Sequence, residues 1–245
     1  MTRYAQTNLE LYAQMRAEGY DEAAQEGVLC GYSLATRLFA GLHRASGKVF
    51  LAHLVGTASV LVEARTRPPV VVAGLLHAAY THGEFGNGWR GMTVDKRATV
   101  AAVVGDECED LIAQYTDFQW RSEALPGLRG KLSGLDSGHR DVLLMRLANE
   151  LDDHLDLGVL FYADAERRLQ LLEPLASCVD LARDLGYYRL ADALSEAFDA
   201  CRAAKIPVTN RPGSRGSFLV APASHRPSLR IRLAHWMARK SAALC

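Results

Sequence analysis

Two histidines, His53 and His77, each interrupt a stretch that is otherwise apolar. The first stretch, Val49 to Glu63, carries Phe50, Leu51, Leu54, Val55, Ala58, Val60 and Leu61; the second, Val70 to Tyr80, reads VVVAGLLHAAY. An imidazole is costly to bury unless its nitrogens find partners. Two such residues in two buried segments therefore point to rings that meet. Neutral imidazole is a common metal ligand; a pair of core histidines satisfied by backbone or by each other is the plainer alternative. A third polar concentration, Asn149-Glu150-Leu151-Asp152-Asp153-His154, follows an apolar run. Glu150 and Asp153 stand three apart and share a helix face, with Asn149 and Asp152 on the neighbouring one. Either face offers an oxygen ligand or a general base, against the plainer reading of a solvated acidic flank.

His82 and Glu84 come just after the second histidine, where they are candidates to handle protons. Lys48, Arg90 and Arg97 are candidates to grip a phosphate, for which Arg is well suited, or are ordinary surface cations. The chain has no GxxxxGK[ST], GxSxG, HExxH or helix-opening GxGxxG pattern, so the corresponding nucleotide, hydrolase and zincin readings have no support. Five scattered cysteines, at 30, 108, 178, 201 and 245, form no CxxC pair. They read as reduced thiols of a cytoplasmic protein, mostly packed as small hydrophobes.

The elements that must position these residues are helical. Asn8 is read as the cap of a helix to about Glu18, and Asp21 as the cap of a second to about Leu42. Ser46-Gly47 breaks the chain. Val49–Glu63 is apolar on nearly every face, as a buried helix is, and Pro68-Pro69 opens the next helix, Val70–Tyr80. Residues 83–91, with four glycines, read as a loop. Helices follow at about Asp95–Val104 and Asp106–Tyr115, then a loop-like stretch at 124–138. Asp141 to about Leu157 is amphipathic, with Leu144, Leu147, Ala148, Leu151 and Leu155 on one stripe. Two more helices fit Ala165–Leu185, divided or kinked by Pro174, and Arg189–Ala204.

At 245 residues and 49% hydrophobic content the chain has enough apolar material for one substantial core, and disorder throughout is excluded. No run approaches the about 20 apolar residues of a membrane span, and the first 14 residues have no signal-like apolar stretch. Zero net charge hides an asymmetry: residues 1–199 carry 19 cations against 28 acids, and the remainder carries nine cations and no acid. The expected organisation is a helical domain over 1–205, a Pro/Gly/Ser/Arg linker over 206–227, and a basic amphipathic helix over 228–245. Within the linker, Phe218-Leu219-Val220 is an apolar island able to dock. The terminal helix, with Leu229, Leu233, Trp236 and Met237 on one side, suits an apolar protein groove or an anionic membrane surface, or packing on the acidic body. Nucleic acid is disfavoured by that acidic body.

The stretches FLAHLVGTA (50–58), VAGLLHA (72–78) and RLANE (146–150) resemble the HD superfamily of helical metal-dependent phosphohydrolases, with the RelA/SpoT hydrolase domain as the nearest familiar pattern. The resemblance spans about residues 45–155. A longer likeness, from TNLELYAQM through AGLLHAAYTHGEFG to RLANELDD, is to an uncharacterised bacterial family of small HD-like proteins. The HD resemblance implies an all-α, HD-like bundle with one divalent metal at the positions of His53, His77, Ala78 and Asn149. Ala78 has no ligand atom, Asn149 offers only an amide oxygen, and the family's following acidic pair falls on Thr81 and His82. Such a site has lost negative charge and binds hard cations more weakly.

Two functions follow as expectations. The first is a metal-dependent phosphohydrolase acting on a small phosphorylated or nucleotide substrate. Its metal (Mn, Fe or Zn) would be held by His53, His77 and an oxygen of Asn149, Glu150 or Asp153, with His82 or Glu84 moving protons. The second is a catalytically lapsed HD-like domain that binds a ligand or a protein, with no metal.

Overall fold

The computed structural model describes residues 4–86, 88, 90–120 and 125–206, together with the backbone pair at 218–219. These residues are mostly helical, with almost no strand. None of their helices is long and apolar enough to cross a membrane. The expectations for the linker and the terminal helix lie outside the described residues, apart from Phe218-Leu219.

Helix α1 (Asn8–Ala17) opens on Thr7 rather than Asn8: the Thr7 hydroxyl accepts from the Glu10 N–H while the Glu10 carboxylate accepts from the Thr7 N–H. This reciprocal pairing satisfies two helix-end donors at once, which an Asn8 cap would not. Helix α2 (Glu22–Phe39) is capped by Asp21 as expected and stops three residues before Leu42. Leu42–His43 forms the two-residue strand β1, paired antiparallel with β2 (Phe218–Leu219). The apolar island in the linker region thus docks by backbone pairing.

Helix α3 (Phe50–Glu63) and helix α4 (Pro68–Leu76) form the centre. Every residue from His53 to Val62 and from Val70 to Leu76 is buried, as all-round apolar helices require. Helix α3 packs on α4, and α4 also packs on α2. The expected single helix over 70–80 is broken at His77-Ala78. There the His77 ring donates from Nδ1 to the Gly74 carbonyl at 2.8 Å, and a four-residue helix α5 (Ala79–His82) follows.

Helices α6 (Val94–Val104) and α7 (Asp106–Asp117) fall where the periodicity put them. The stretch read as loop at 124–138 instead holds the short helix α8 (Leu125–Arg129) and a 3₁₀ turn at Leu132–Gly134. Leu125 is fully buried and Leu132 nearly so. Glycine-rich composition was outweighed there by apolar burial. Helix α9 (Ser137–His154), capped by Asp136, ends three residues earlier than expected. Asp156 and Leu157 take left-handed backbone conformations, with φ of 55° and 58°, which no α-helix of L-residues can contain. The segment around Pro174 divides into α10 (Ala165–Gln170), α11 (Leu172–Leu175), which contains the proline, and α12 (Ser177–Asp184). Helix α13 (Tyr188–Ala203) closes the body on α12 and α9.

Candidate functional site

The polar end of α9 meets α3 across one close approach. A methyl group at Gly56 would overlap the Asp152 carboxylate. Glycine within a helix is unfavourable by about 1 kcal/mol relative to alanine; here it makes room for a buried acid. Asp152 is 1% exposed and His53 fully buried, and Asp152 Oδ2 lies 2.6 Å from His53 Nδ1.

A tight hairpin between β1 and α3 supplies the matching positive charge. The Arg44 N–H donates to the Lys48 carbonyl and the Gly47 N–H to the Arg44 carbonyl, both at 2.8 Å, while Gly47 provides the positive φ of 90° that the turn needs. Both long cationic side chains of the hairpin reach α9. Lys48 Nζ donates to Asp152 Oδ1 and Oδ2 at 2.8 and 2.9 Å. One Arg44 guanidinium nitrogen lies 2.8 Å from His53 Nε2, and the other donates to Asp153 Oδ1 at 2.6 Å and to the Tyr162 hydroxyl at 3.2 Å.

These contacts fix the state of His53. A guanidinium only donates, so Nε2 accepts, and Nδ1 carries the proton that it donates to Asp152. Burial pushes the Asp153 carboxyl up, but nearby positive charge, Arg44 first, outweighs it and holds it at about 2. Burial likewise opposes the charge of Arg44, and Asp153, Tyr162 and Asp152 more than offset it, leaving its pKa above the ordinary value.

The histidines expected to meet do so: the His53 and His77 ring centroids are 5.2 Å apart, edge to face. His77 also packs on Tyr115, at 5.0 Å. Burial, reinforced by the Arg44 and Arg146 charges, holds the His77 pKa well below the usual histidine value. The polar residues of α9 divide into two directions. Asp152 and Asp153 turn to the hairpin, and the Asn149 amide reaches Asp153 Oδ2 at 3.5 Å. Glu150 instead accepts from the Trp120 indole at 2.8 Å, and its burial raises its pKa. His154 turns back to the Glu150 carbonyl at 2.7 Å.

His82 packs on Phe50, with 5.3 Å between centroids. Burial, then Arg44 and Arg90, lower its pKa to about 4. Glu84 is exposed on the loop that follows. Of the cations read as phosphate grips, Lys48 belongs to the site and Arg90 is exposed. Arg97 is bound elsewhere, to Glu109 and Asp110.

Sequence reasoning placed Asp152 on a candidate helix face but did not single it out, although it lies four residues after Ala148 and three before Leu155, inside the apolar stripe, where an acid must be buried. Arg44 was missed and had no signal, since an arginine beside a turn is ordinarily solvated.

Residues 35–119 match the family model of a domain of unknown function, DUF6817. None of the curated proteins matches the chain. The matched segment contains the hairpin, His53 and His77 and stops short of α9, so the Asp152 and Asp153 half of the site lies outside it.

The donor set fits a resident metal poorly. Among the described residues, one group of His, Cys, Asp or Glu side chains brings ligand atoms within 4.8 Å of one another: His53, Asp152 and Asp153. It has Asp152 in place of the expected Asn149 and Glu150, and His77 lies outside it. Each of the three is already engaged by Arg44 or Lys48, and two cations balance two carboxylates. A cleft of about 270 Å³ opens beside them, lined by Gln6, Arg44, Ser46, Lys48, Asp153 and Asp156 among others. The left-handed turn at Asp156 separates it from a neighbouring cleft of about 480 Å³, walled by His154, Leu157, Ala193 and Ala197.

Proposed function

We propose that this chain is a helical ligand-binding domain, HD-like in ancestry and catalytically lapsed, that takes a small charged molecule in the cleft beside Arg44 and Lys48 without a metal. The observation that carries this reading is the seat of the Arg44 guanidinium on both His53 Nε2 and Asp153 Oδ1. A metallohydrolase needs those lone pairs for its ion and an open position for water. Here they are spent on an internal cation. The absence of ligand atoms at Ala78 supports the same reading. Arg44 and Lys48 retain partial exposure, with 17% and 24% of their side chains accessible, so a ligand entering the cleft meets charges of both signs.

The test is metal analysis of the purified full chain, followed by phosphoester hydrolysis assays with added Mn²⁺ or Zn²⁺ and a thermal-shift screen of small charged metabolites. The expected outcome is no stoichiometric metal, no metal-dependent hydrolysis, and a ligand that raises Tm in the wild type but not in Lys48→Met. Bound metal together with hydrolysis that a chelator abolishes would restore the phosphohydrolase reading.

A further inference from the structure

We infer that the larger cleft, between the Asp156–Leu157 turn and α13, is a second binding site, and that its ligand is a small organic ammonium with an apolar body. The site lies beyond the Arg44 cleft and does not depend on the reading given for that cleft.

The cleft exists because of what α13 lacks. Ala193, Ala197 and Ala200 stand four and three residues apart, so they share one helix face, and all three line the opening. None reaches past its methyl group, and a volume of about 480 Å³ remains between the helix and the turn. Tyr4, Leu155 and Leu157 supply the rest of a mostly apolar wall. Pockets for small organic ligands have such linings and volumes of about 300–1,000 Å³. Apolar walls left open to water are unfavourable, and an apolar ligand body relieves that cost.

The turn that forms the other wall is held in a costly conformation. Asp156 and Leu157 have φ of 55° and 58°. Aspartate tolerates the left-handed region, whereas leucine brings its Cβ too close to the following carbonyl. Strain of this kind persists only where the surroundings impose it, and it clusters at ligand sites. Here it sets Leu157 in the wall of the larger cleft and Asp156 at the margin of both clefts.

Charge selects the occupant. The described residues that line the larger cleft include the acids Asp156 and Glu196 and no Lys or Arg. His154 has its Nδ1 committed to the Glu150 carbonyl at 2.7 Å. Asp156 is exposed, and its side chain makes no hydrogen bond or ion pair with any described residue. Arg44 and Lys48, across the turn, are already paired with Asp153 and Asp152. An anion entering the cleft therefore meets carboxylates and no cation. An ammonium gains a charge-assisted hydrogen bond to Asp156 while its apolar body covers the alanine face.

The experiment titrates the full chain with phenylbutylamine by isothermal calorimetry, with Tm read in parallel. Phenylbutyrate and methylammonium are the controls, lacking the positive charge and the apolar body respectively. Wild type is expected to bind the amine one-to-one and to gain Tm, and to bind neither control. Asp156→Asn keeps a residue suited to the left-handed turn and should weaken binding about tenfold or more, a hydrogen bond to a charged group being worth that much. Ala197→Phe fills the cleft and should abolish binding; should it fail to fold, Ala200→Leu at the exposed rim serves the same purpose. No binding by wild type, equal binding of phenylbutyrate, or binding unchanged by Asp156→Asn or by the cleft-filling variant overturns the site. Binding that emerges only after Trp236→Ser also overturns it, because the cleft then belongs to the chain's own C-terminal segment. Each of these failures leaves the reading of the Arg44 cleft, which turns on Lys48, standing.

Discussion

Asp152 and Glu109 are both buried carboxylates, 1% and 3% exposed, yet they are held in opposite ways. Glu109, on α7, takes Arg97 from α6 and the Tyr80 hydroxyl from α5, partners 12 and 29 residues away. Arg97 is 41% exposed and reaches in from solvent. This cluster fastens helices that are neighbours in the chain. Asp152 takes His53 and Lys48 from 99 and 104 residues away, one of them wholly buried and the other at the rim of a cleft. A buried acid satisfied locally is a fastening; one satisfied across the fold, with a cation at the rim of a cleft, has the makings of a site.

The sharpest break of this comparison is at Asp152. Asp152→Ala leaves the buried His53 ring and the Lys48 ammonium without their shared partner, and such losses cost about 3–5 kcal/mol. Urea denaturation should show that loss, well above what the equivalent change at Glu109 produces. If the two variants lose equal stability, the distinction between site and fastening collapses.

Gly56→Ala tests the same approach from α3. The added methyl overlaps the Asp152 carboxylate, and overpacking of this kind costs roughly 1–3 kcal/mol. Recovery of stability on adding Asp152→Ala to Gly56→Ala, read as a double-mutant cycle, would locate the clash in that pair.

Acid should dissolve the advantage of the hairpin pair. Asp153 is held at about 2, below its ordinary value of 3.8, so its stabilising contribution is complete above about pH 4 and is lost as pH falls through about 2. The stability gap between wild type and Asp153→Asn is expected to be on the order of 2 kcal/mol at neutral pH and to close near pH 2. A gap that persists unchanged at pH 2 contradicts the Arg44 pairing.

The smallest effect belongs to the fastening itself. Glu109→Gln keeps an acceptor for Tyr80 and leaves Arg97 its partner Asp110 and water, so its cost should be about 1 kcal/mol. A thermal melt showing a loss comparable with that at Asp152 would mean that exposure of the cation does not separate the two clusters.

Much of the fold was legible because its strongest signals are local. Apolar runs without a polar face marked α3 and α4 as central, Asp21 capped its helix, and the segment around Pro174 is divided. The errors were local too. Thr7 won the cap over Asn8 because Glu10 stands three residues on, and α8 formed in a glycine-rich stretch because Leu125 had a core to enter. Of the site, the meeting of His53 with His77 was readable from two polar exceptions in apolar helices. The division of the Asn149–His154 turn was not. Helical periodicity orders residues around an axis, but it does not say which neighbour each direction meets.

The sequence by itself therefore determined a helical body, two buried histidines that face each other, and a polar turn late in the chain to accompany them. It determined these through burial, since a lone imidazole in an apolar helix has few places to go. Only the tertiary structure decided that Arg44 is the cation of the site, that Asp152 rather than Glu150 joins His53, and that Gly56 makes room for it. Those outcomes depend on a hairpin and a helix about a hundred residues apart arriving at the same place. Charge pairing acts over a few ångströms of space, with no regard to separation along the chain.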